Sequence, residues 1–287
     1  MSTHGLPDLV CEPLVRAALH EDLGRAGDLT TQAVVPAAAR ATMSVTAREA
    51  GVVAGLDLAR RTFSLVDPEI RVDVSAPDGS RVEPGDVVAV VTGPARGILT
   101  GERVALNFLG HLSGVATATA QVADAIGHTR TRVCCTRKTT PGLRTVEKYA
   151  VRVGGGVNHR FGLDDAVLVK DNHIAVAGSV TEAVRRAQQG VGHLVSIEVE
   201  VDTLDQLREL LACERPVDAV LLDNMSPREL AEAVALVDGR LTTEASGRVT
   251  AETGPALAAT GVDLVSVGWI THSAPVLDLG LDDLGRP

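Results

Sequence analysis

Aromatic side chains are nearly missing: one Trp, one Tyr and three Phe in 287 residues. The core must therefore be built from Val, Leu, Ala and Ile, as in helix-covered parallel sheets. Stacking platforms for single-stranded nucleic acid are correspondingly scarce. An excess of positive charge is missing too. With a formal net charge of -10 at pH 7, the surface as a whole repels nucleic acid and anionic membranes. No apolar run reaches the roughly 18 residues that a membrane span needs. The opening MSTHGLPDLV lacks the basic stretch and apolar segment of a secretory leader. No nucleic-acid partner, no membrane partner and a cytoplasmic location are expected. Four cysteines fit no zinc-ligand spacing, and the adjacent Cys134 and Cys135 are a poor disulfide pair. They are expected to be reduced and to act as small hydrophobes. The glycine-rich fingerprints of dinucleotide-binding and P-loop sheets do not occur.

What is present is a globular composition, 45% apolar, long enough for one large domain or two ordinary ones. The first hundred residues read as mixed and strand-rich. A short helix is expected over Leu14–Leu23, and strands near Met43–Ala47 and Gly51–Gly55. Pro77-Asp78-Gly79 and Pro84-Gly85-Asp86 are turn signals between short apolar runs, an antiparallel pattern. Near Thr100 the period changes. Val104, Phe108, Leu112 and Val115 mark a helix that Thr100 can cap, with Glu102 in its first turn. It is expected to cross from one domain into the next.

From residue 130, short β-rich runs alternate with amphipathic helical stretches. The runs are Arg132–Cys135, Ala166–Val169, Leu194–Val199, Ala219–Leu222, Arg240–Thr243 and Val262–Val267. Alternation of this kind implies parallel βα units, in a doubly wound sheet or a barrel. Each run is followed by polar residues or glycine: Thr136-Arg137-Lys138, then Lys170, Glu200, Asp223, Glu244 with Ser246-Gly247, and Gly268. One charged residue after a strand is usually a solvated loop end. Repetition over nearly every strand points to a shared polar site at the carboxyl ends of the strands.

The site's charge can be read as well. Between residues 130 and 170 there are nine Lys or Arg and only three acids, in a chain of net negative charge. A basic solvated face is one reading; a pocket for carboxylates and phosphates is the other. Glu200 and Asp223 would then face cations, where carboxylates can hold Mg²⁺, bind ribose hydroxyls or stabilise a developing cation. Gly154-Gly155-Gly156 permits a tight turn or a close backbone approach. Ser246-Gly247 could present N–H groups to a phosphate. Lys170 after a strand also suits a Schiff-base barrel enzyme, and a non-catalytic sensor of phosphorylated sugars shares several of these features.

The stretch TRKTTPGLRTVEKYAVRVGGGVNHRFGLDDAVLVKDNH, Thr136 to His173, strongly resembles the quinolinate phosphoribosyltransferase family. EDLGRAGDLTT, REAGVVAGL, GERVALNFLGHLSGVAT, EVEVD, LLDNM, EASG and SVGWITHS follow the same family in order along nearly the whole chain. The resemblance implies an N-terminal α/β sandwich over 1–112, joined by the tail 271–287. It also implies an incomplete parallel α/β barrel of six or seven strands over 113–270. Molybdenum-utilisation relatives that act on another ring are the nearest alternative; Arg137, Lys138 and Arg160 argue against them.

The resemblance further implies transfer of phosphoribosyl from phosphoribosyl pyrophosphate to quinolinate with decarboxylation, Mg²⁺ as cofactor, and a homodimer or higher homo-oligomer with shared active sites. Arg103 would reach quinolinate from a neighbouring subunit. Arg137, Lys138, His159 and Arg160 would bind the two carboxylates, beside Thr136. Lys170 would contact substrate or pyrophosphoryl; with Lys138, Glu200 and Asp223 it makes up the expected catalytic set. Glu200 and Asp223 would hold the metal and the ribose. Ser246, Gly247, Arg248, Gly268 and His272 complete the substrate-binding set. Arg248 stands where glycine or Asn is common in the family and Trp269 where a small residue is common, so the phosphate loop is expected to differ here.

Overall fold

The computed structural model describes residues 5–283, and the chain divides into two compact units. The first comprises residues up to 120, Thr145–Gly154 and the tail from Ser273. In chain order it contains α1 (Asp8–Leu23), α2 (Leu29–Val34), β1 (Arg40–Ala47), β2 (Gly51–Val52), α3 (Leu56–Val66), β3 (Arg71–Val74), β4 (Arg81–Val82), β5 (Val87–Pro94) and most of α4 (Ala95–Ile126). Its antiparallel sheet has the order β12-β1-β5-β3, where β12 is the C-terminal strand Leu279–Asp283. Val45 pairs with Leu281 and Ala89 across β1. Val45, Val88, Val91, Phe63, Ile98, Leu109 and Leu279 form the core of this unit, aliphatic but for one ring. The tail reaches its place along α4: Leu277 N donates to Gly110 O, and a Cβ on Gly114 would run into the carbonyl of Pro275.

Three local expectations change. The first helix starts six residues earlier than expected and carries Pro13 within it. The long helix begins at Ala95, directly after Pro94 closes β5, so Thr100 is not its cap. Thr100 Oγ1 instead donates to Asp28 Oδ2 at 3.0 Å. The helix α5 (Arg144–Val153), read with the barrel, groups with the first unit from Thr145 on.

The second unit, Gln121–Arg144 and Gly155–His272, is the repeating part. It holds β6 (Arg132–Cys134), β7 (Val167–Val169), α6 (Asp171–Ala177), α7 (Val180–Gly190), β8 (Ile197–Val201), α8 (Leu204–Leu211), β9 (Ala219–Asp223), α9 (Pro227–Val237), β10 (Thr242–Ser246), α10 (Gly254–Ala258), β11 (Leu264–Ser266) and α11 (Trp269–His272). Helix starts follow their sequence signals. Ser179 caps α7, and Thr203 with Gln206 and Ser226 with Glu229 form capping boxes on α8 and α9, with Pro227 opening the latter.

The sheet is parallel throughout, in the order β6-β11-β10-β9-β8-β7. The first strand pairs with the last, as in an α/β barrel, and the ladder is open between the first and second strands. Residues between α5 and β7 fill that seam, where Val157 bridges to Cys134. The result is the expected incomplete barrel, with six strands.

Candidate active site

Alternation along a strand sends every second side chain to the same face. Val133, Val199, Val220, Leu222, Ala245 and Val265 are almost completely buried. Of the residues that alternate with them, Glu200, Leu221, Asp223, Glu244, Ser246 and Ser266 face a cavity of about 780 Å³. In register, Glu200, Leu221 and Glu244 form one row across β8, β9 and β10. Asp223, Ser246 and Ser266 form the next row toward the carboxyl ends. Three βα loops, after β6, β10 and β11, and the open seam add Thr136, Arg137 and Lys138, Gly247 and Arg248, Gly268, and His159 and Arg160.

Every residue expected at the site from sequence lines this cavity, except Arg103. Arg103 lies on an exposed face of α4, in the first unit. Of the nine basic residues between 130 and 170, four line the cavity: Arg137, Lys138, Arg160 and Lys170. Arg130 and Arg132 stand at the amino end of β6, away from it. Lys148 is fully buried within α5.

The two arginines are set in place by neighbouring loops. Thr136 Oγ1 accepts from Lys138 N at 3.0 Å, and Thr271 Oγ1 donates to Lys138 O at 2.7 Å. Arg144 ties the two basic loops together: its Nε donates to Thr139 Oγ1 and its Nη1 to Phe161 O, at 3.0 and 2.9 Å. Arg160 Nη1 donates to Ala166 O at 2.8 Å. Burial first, and then the Arg137 guanidinium, push Arg160 below the ordinary arginine range. Neither the Nε of Arg137 nor that of Arg160 has an acceptor among the described residues, although both atoms are buried. Such a pair keeps an unmet demand for negative charge.

The opposite wall is acidic. Lys170 Nζ lies 2.9 Å from Glu200 Oε2, and Asn224 Nδ2 donates to Asp223 Oδ2 at 2.6 Å. Asp202, on the same side, is raised above its usual range by partial burial and then by Asp223 and Asp171. Glu200 and Asp223 thus present carboxylate oxygens to the cavity, the hard donors that suit a divalent cation with substrate oxygens as its other ligands.

At the third wall Gly247 has φ 119° and Arg248 φ 41°. A Cβ on Gly247 would lie 2.5 Å from Asn224 Oδ1, so only glycine fits there. Trp269 Nε1 donates to Val249 O at 2.8 Å, which pins the end of this loop. The ring is therefore anchored against the loop as well as lining the cavity.

His159 lies where expected and has two partners within the protein. It lines the cavity, but Arg160 N donates to its Nδ1 at 2.8 Å, and its Nε2 lies 2.8 Å from Glu198 Oε2. A backbone N–H can only donate, so Nδ1 is an acceptor and the ring proton sits on Nε2. Both nitrogens are thus used inside the protein. His159, Glu198 and Glu244 offer one nitrogen and two carboxylate oxygens within 4.8 Å of one another, a metal-like spacing. The Nε2 proton removes the lone pair that a metal would need there.

Two strand boundaries also differ. β8 runs from Ile197 to Val201 and β10 from Thr242 to Ser246, so Glu200 and Glu244 lie inside their strands. Glu198 was not singled out. The alternation Ile197-Glu198-Val199-Glu200-Val201 is a period-two signal that puts both acids on one face.

Comparison with known proteins agrees with this architecture. The family model "Quinolinate phosphoribosyl transferase, N-terminal domain" matches residues 28–113, and "Quinolinate phosphoribosyl transferase, C-terminal domain" matches residues 115–282. The chain is 47% identical over 273 residues to a nicotinate-nucleotide pyrophosphorylase (carboxylating) of Mycobacterium leprae, covering 93% of this chain and 95% of that one. It is 41% identical over 284 residues to a quinolinate phosphoribosyltransferase (decarboxylating) of Nicotiana glauca, covering 93% and 81%. The crystal structure of NadC from Streptococcus pyogenes superimposes with a TM-score of 0.93 at 43% identity, covering 98% of this chain and 100% of that one. The chain belongs to the quinolinate phosphoribosyltransferase family.

Proposed function

We propose that this chain transfers the phosphoribosyl group of phosphoribosyl pyrophosphate to quinolinate, giving nicotinate mononucleotide, pyrophosphate and carbon dioxide. The observation that carries the reading is the cavity's division of charge. Two under-satisfied arginines and Lys138 stand on one wall, and Glu200 and Asp223 on the other. A planar dicarboxylate needs several fixed cations, while a ribosyl centre that develops positive charge needs carboxylates.

In this reading Arg137, Lys138 and Arg160 hold the two carboxylates, and Thr136 lines the same end. Gly247, with Ser246, Arg248 and Gly268, cradles the 5′-phosphate, and His272 closes that end. The ring nitrogen attacks C1 of the ribose as the C1–O bond to pyrophosphate breaks. Glu200 and Asp223 stabilise the positive sugar ring, and Lys170 faces the departing pyrophosphate. In the resulting nucleotide, the carboxylate next to the cationic ring nitrogen leaves as carbon dioxide. Its bonding electrons pass to the ring carbon, which takes up a proton. The protein contributes mainly position and electrostatics.

Glu200 and Asp223 are the residues that would hold Mg²⁺, which when bound neutralises charge on the pyrophosphate. We also place Arg103 of a second subunit at the quinolinate end, which makes the working form a homodimer or larger. Its exposure on α4 supports this. A cytoplasmic location is part of the same reading, in keeping with four free cysteines; no helix among the described residues is long and apolar enough to cross a membrane.

The test is incubation of purified protein with quinolinate, phosphoribosyl pyrophosphate and Mg²⁺, following carbon dioxide and nicotinate mononucleotide together. Equal release of both is expected. Nucleotide without carbon dioxide, or neither product, would overturn the reading.

A further inference from the structure

We infer that Glu198 is a positioning residue for the quinolinate end of the cavity, and that it acts through His159 on Arg160. The inference rests on the proposed reaction for its kinetic part, and on geometry alone for its structural part.

The chain of contacts is short. Glu198 is the second residue of β8, two residues before Glu200, and its side chain is 13% exposed. It does not line the cavity, whereas His159 and Arg160 do. Its Oε2 accepts from His159 Nε2, and His159 Nδ1 accepts from the backbone N–H of Arg160, each at 2.8 Å. Glu244 Oε1 lies 3.9 Å from the same Nε2, on the neighbouring side.

These contacts decide the ring's state. The Arg160 N–H fills the Nδ1 lone pair, so a second proton has no place there. Glu198 then takes the Nε2 proton and fixes the tautomer. The imidazole is a neutral strut between the Glu198 carboxylate and the seam backbone. It leaves cation duty to Arg137, Lys138 and Arg160. Without Glu198, the ring is free to turn or to move its proton to Nδ1. Either change breaks the bond to Arg160 N, and Arg160 loses one of its two fixed points, the other being Ala166 O. Preorganisation of a binding cation depends on such supporting contacts.

Glu198→Gln keeps an acceptor of the same shape for Nε2–H; Glu198→Ala removes it. Two readouts apply to both variants and to wild type. Nitrogen NMR of ¹⁵N-histidine-labelled protein, with His159→Gln to assign the signal, reports the tautomer without any turnover. Steady-state kinetics then separates the two substrates. Expected is an Nε2–H tautomer in wild type and in Glu198→Gln, with quinolinate KM nearly unchanged. In Glu198→Ala the signature is lost and KM for quinolinate rises about tenfold or more, while KM for phosphoribosyl pyrophosphate and kcat stay close to wild type. A wild-type ring protonated at Nδ1 would overturn the inference. So would a folded Glu198→Ala protein with an unchanged quinolinate KM, or one whose two KM values rise together. A wild type inactive on quinolinate would overturn the proposed reaction instead, and the nitrogen spectrum would still decide the state of His159.

Discussion

Lys170 and Glu200 pair across adjacent strand ends, with Nζ 2.9 Å from Oε2; the lysine side chain is 47% exposed and the glutamate 11%. The ammonium is therefore the member of the pair that an incoming anion meets first. A pair this exposed adds little to stability, on the order of 1 kcal/mol or less. Lys170→Met should leave the melting temperature nearly unchanged and lower kcat/KM by about a hundredfold, as expected for loss of one charge at a developing anion. Equal kinetics with a lowered melting temperature would make the pair structural.

Arg248 occupies the left-handed region at φ 41°, which costs a side chain with a Cβ on the order of 1 kcal/mol. Replacement by glycine or Asn removes part of that strain. Arg248→Asn should raise the free energy of unfolding by roughly 0.5–1 kcal/mol, seen as a higher urea midpoint with no change in slope. A fall in stability would show that the guanidinium contributes more than the backbone costs.

Asp165 holds the loop beside Arg160: it accepts from Phe161 N and Gly162 N at 2.7 and 2.9 Å. Partial burial works to raise it, but those two N–H groups, with help from Arg160, hold it below the usual carboxylate range. A lowered folded value means that its contribution is present above the unfolded value of about 3.9 and is lost as pH falls through the folded one. The stability difference between wild type and Asp165→Asn should therefore be constant near neutrality and shrink below about pH 4. A difference that persists unchanged into strong acid would contradict this assignment.

Trp269 is the one tryptophan in the chain, and it lines the cavity beside the Gly247 loop. Its fluorescence should respond to ligands without any label. Titration with phosphoribosyl pyrophosphate and Mg²⁺ should shift or quench the emission in a saturable way, and Gly247→Ala should abolish the response. An emission that ignores the ligand while turnover proceeds would move the phosphate away from this loop.

The positions of Lys170 and Asp223 were legible because each follows an apolar run directly, and strand ends in such folds face the site. Glu198 and Glu244 were harder. Glu244 lies in a strand interior where the apolar run Arg240–Thr243 stops short, and Glu198 lies inside its run, where attention to the residues after each run passes over it. The protein contacts of His159 were hidden for a different reason. Its Nδ1 partner is the backbone N–H of the next residue, and no pattern of side-chain types reports that contact. The grouping of Thr145–Gly154 with the first unit is likewise tertiary. The alternating strand and helix signals, by contrast, depend on local burial and capping, and they carried the barrel.

The most direct test of the carboxylate pocket is to compare kcat/KM for quinolinate and for nicotinate, in wild type and in Arg137→Ala and Arg160→Ala. Wild type should use quinolinate and scarcely use nicotinate, which lacks the second carboxylate. Each variant should lose about a hundredfold or more on quinolinate while remaining folded. Comparable use of both rings by wild type, or full quinolinate activity in a folded variant, would contradict the claim that this arginine pair reads the dicarboxylate.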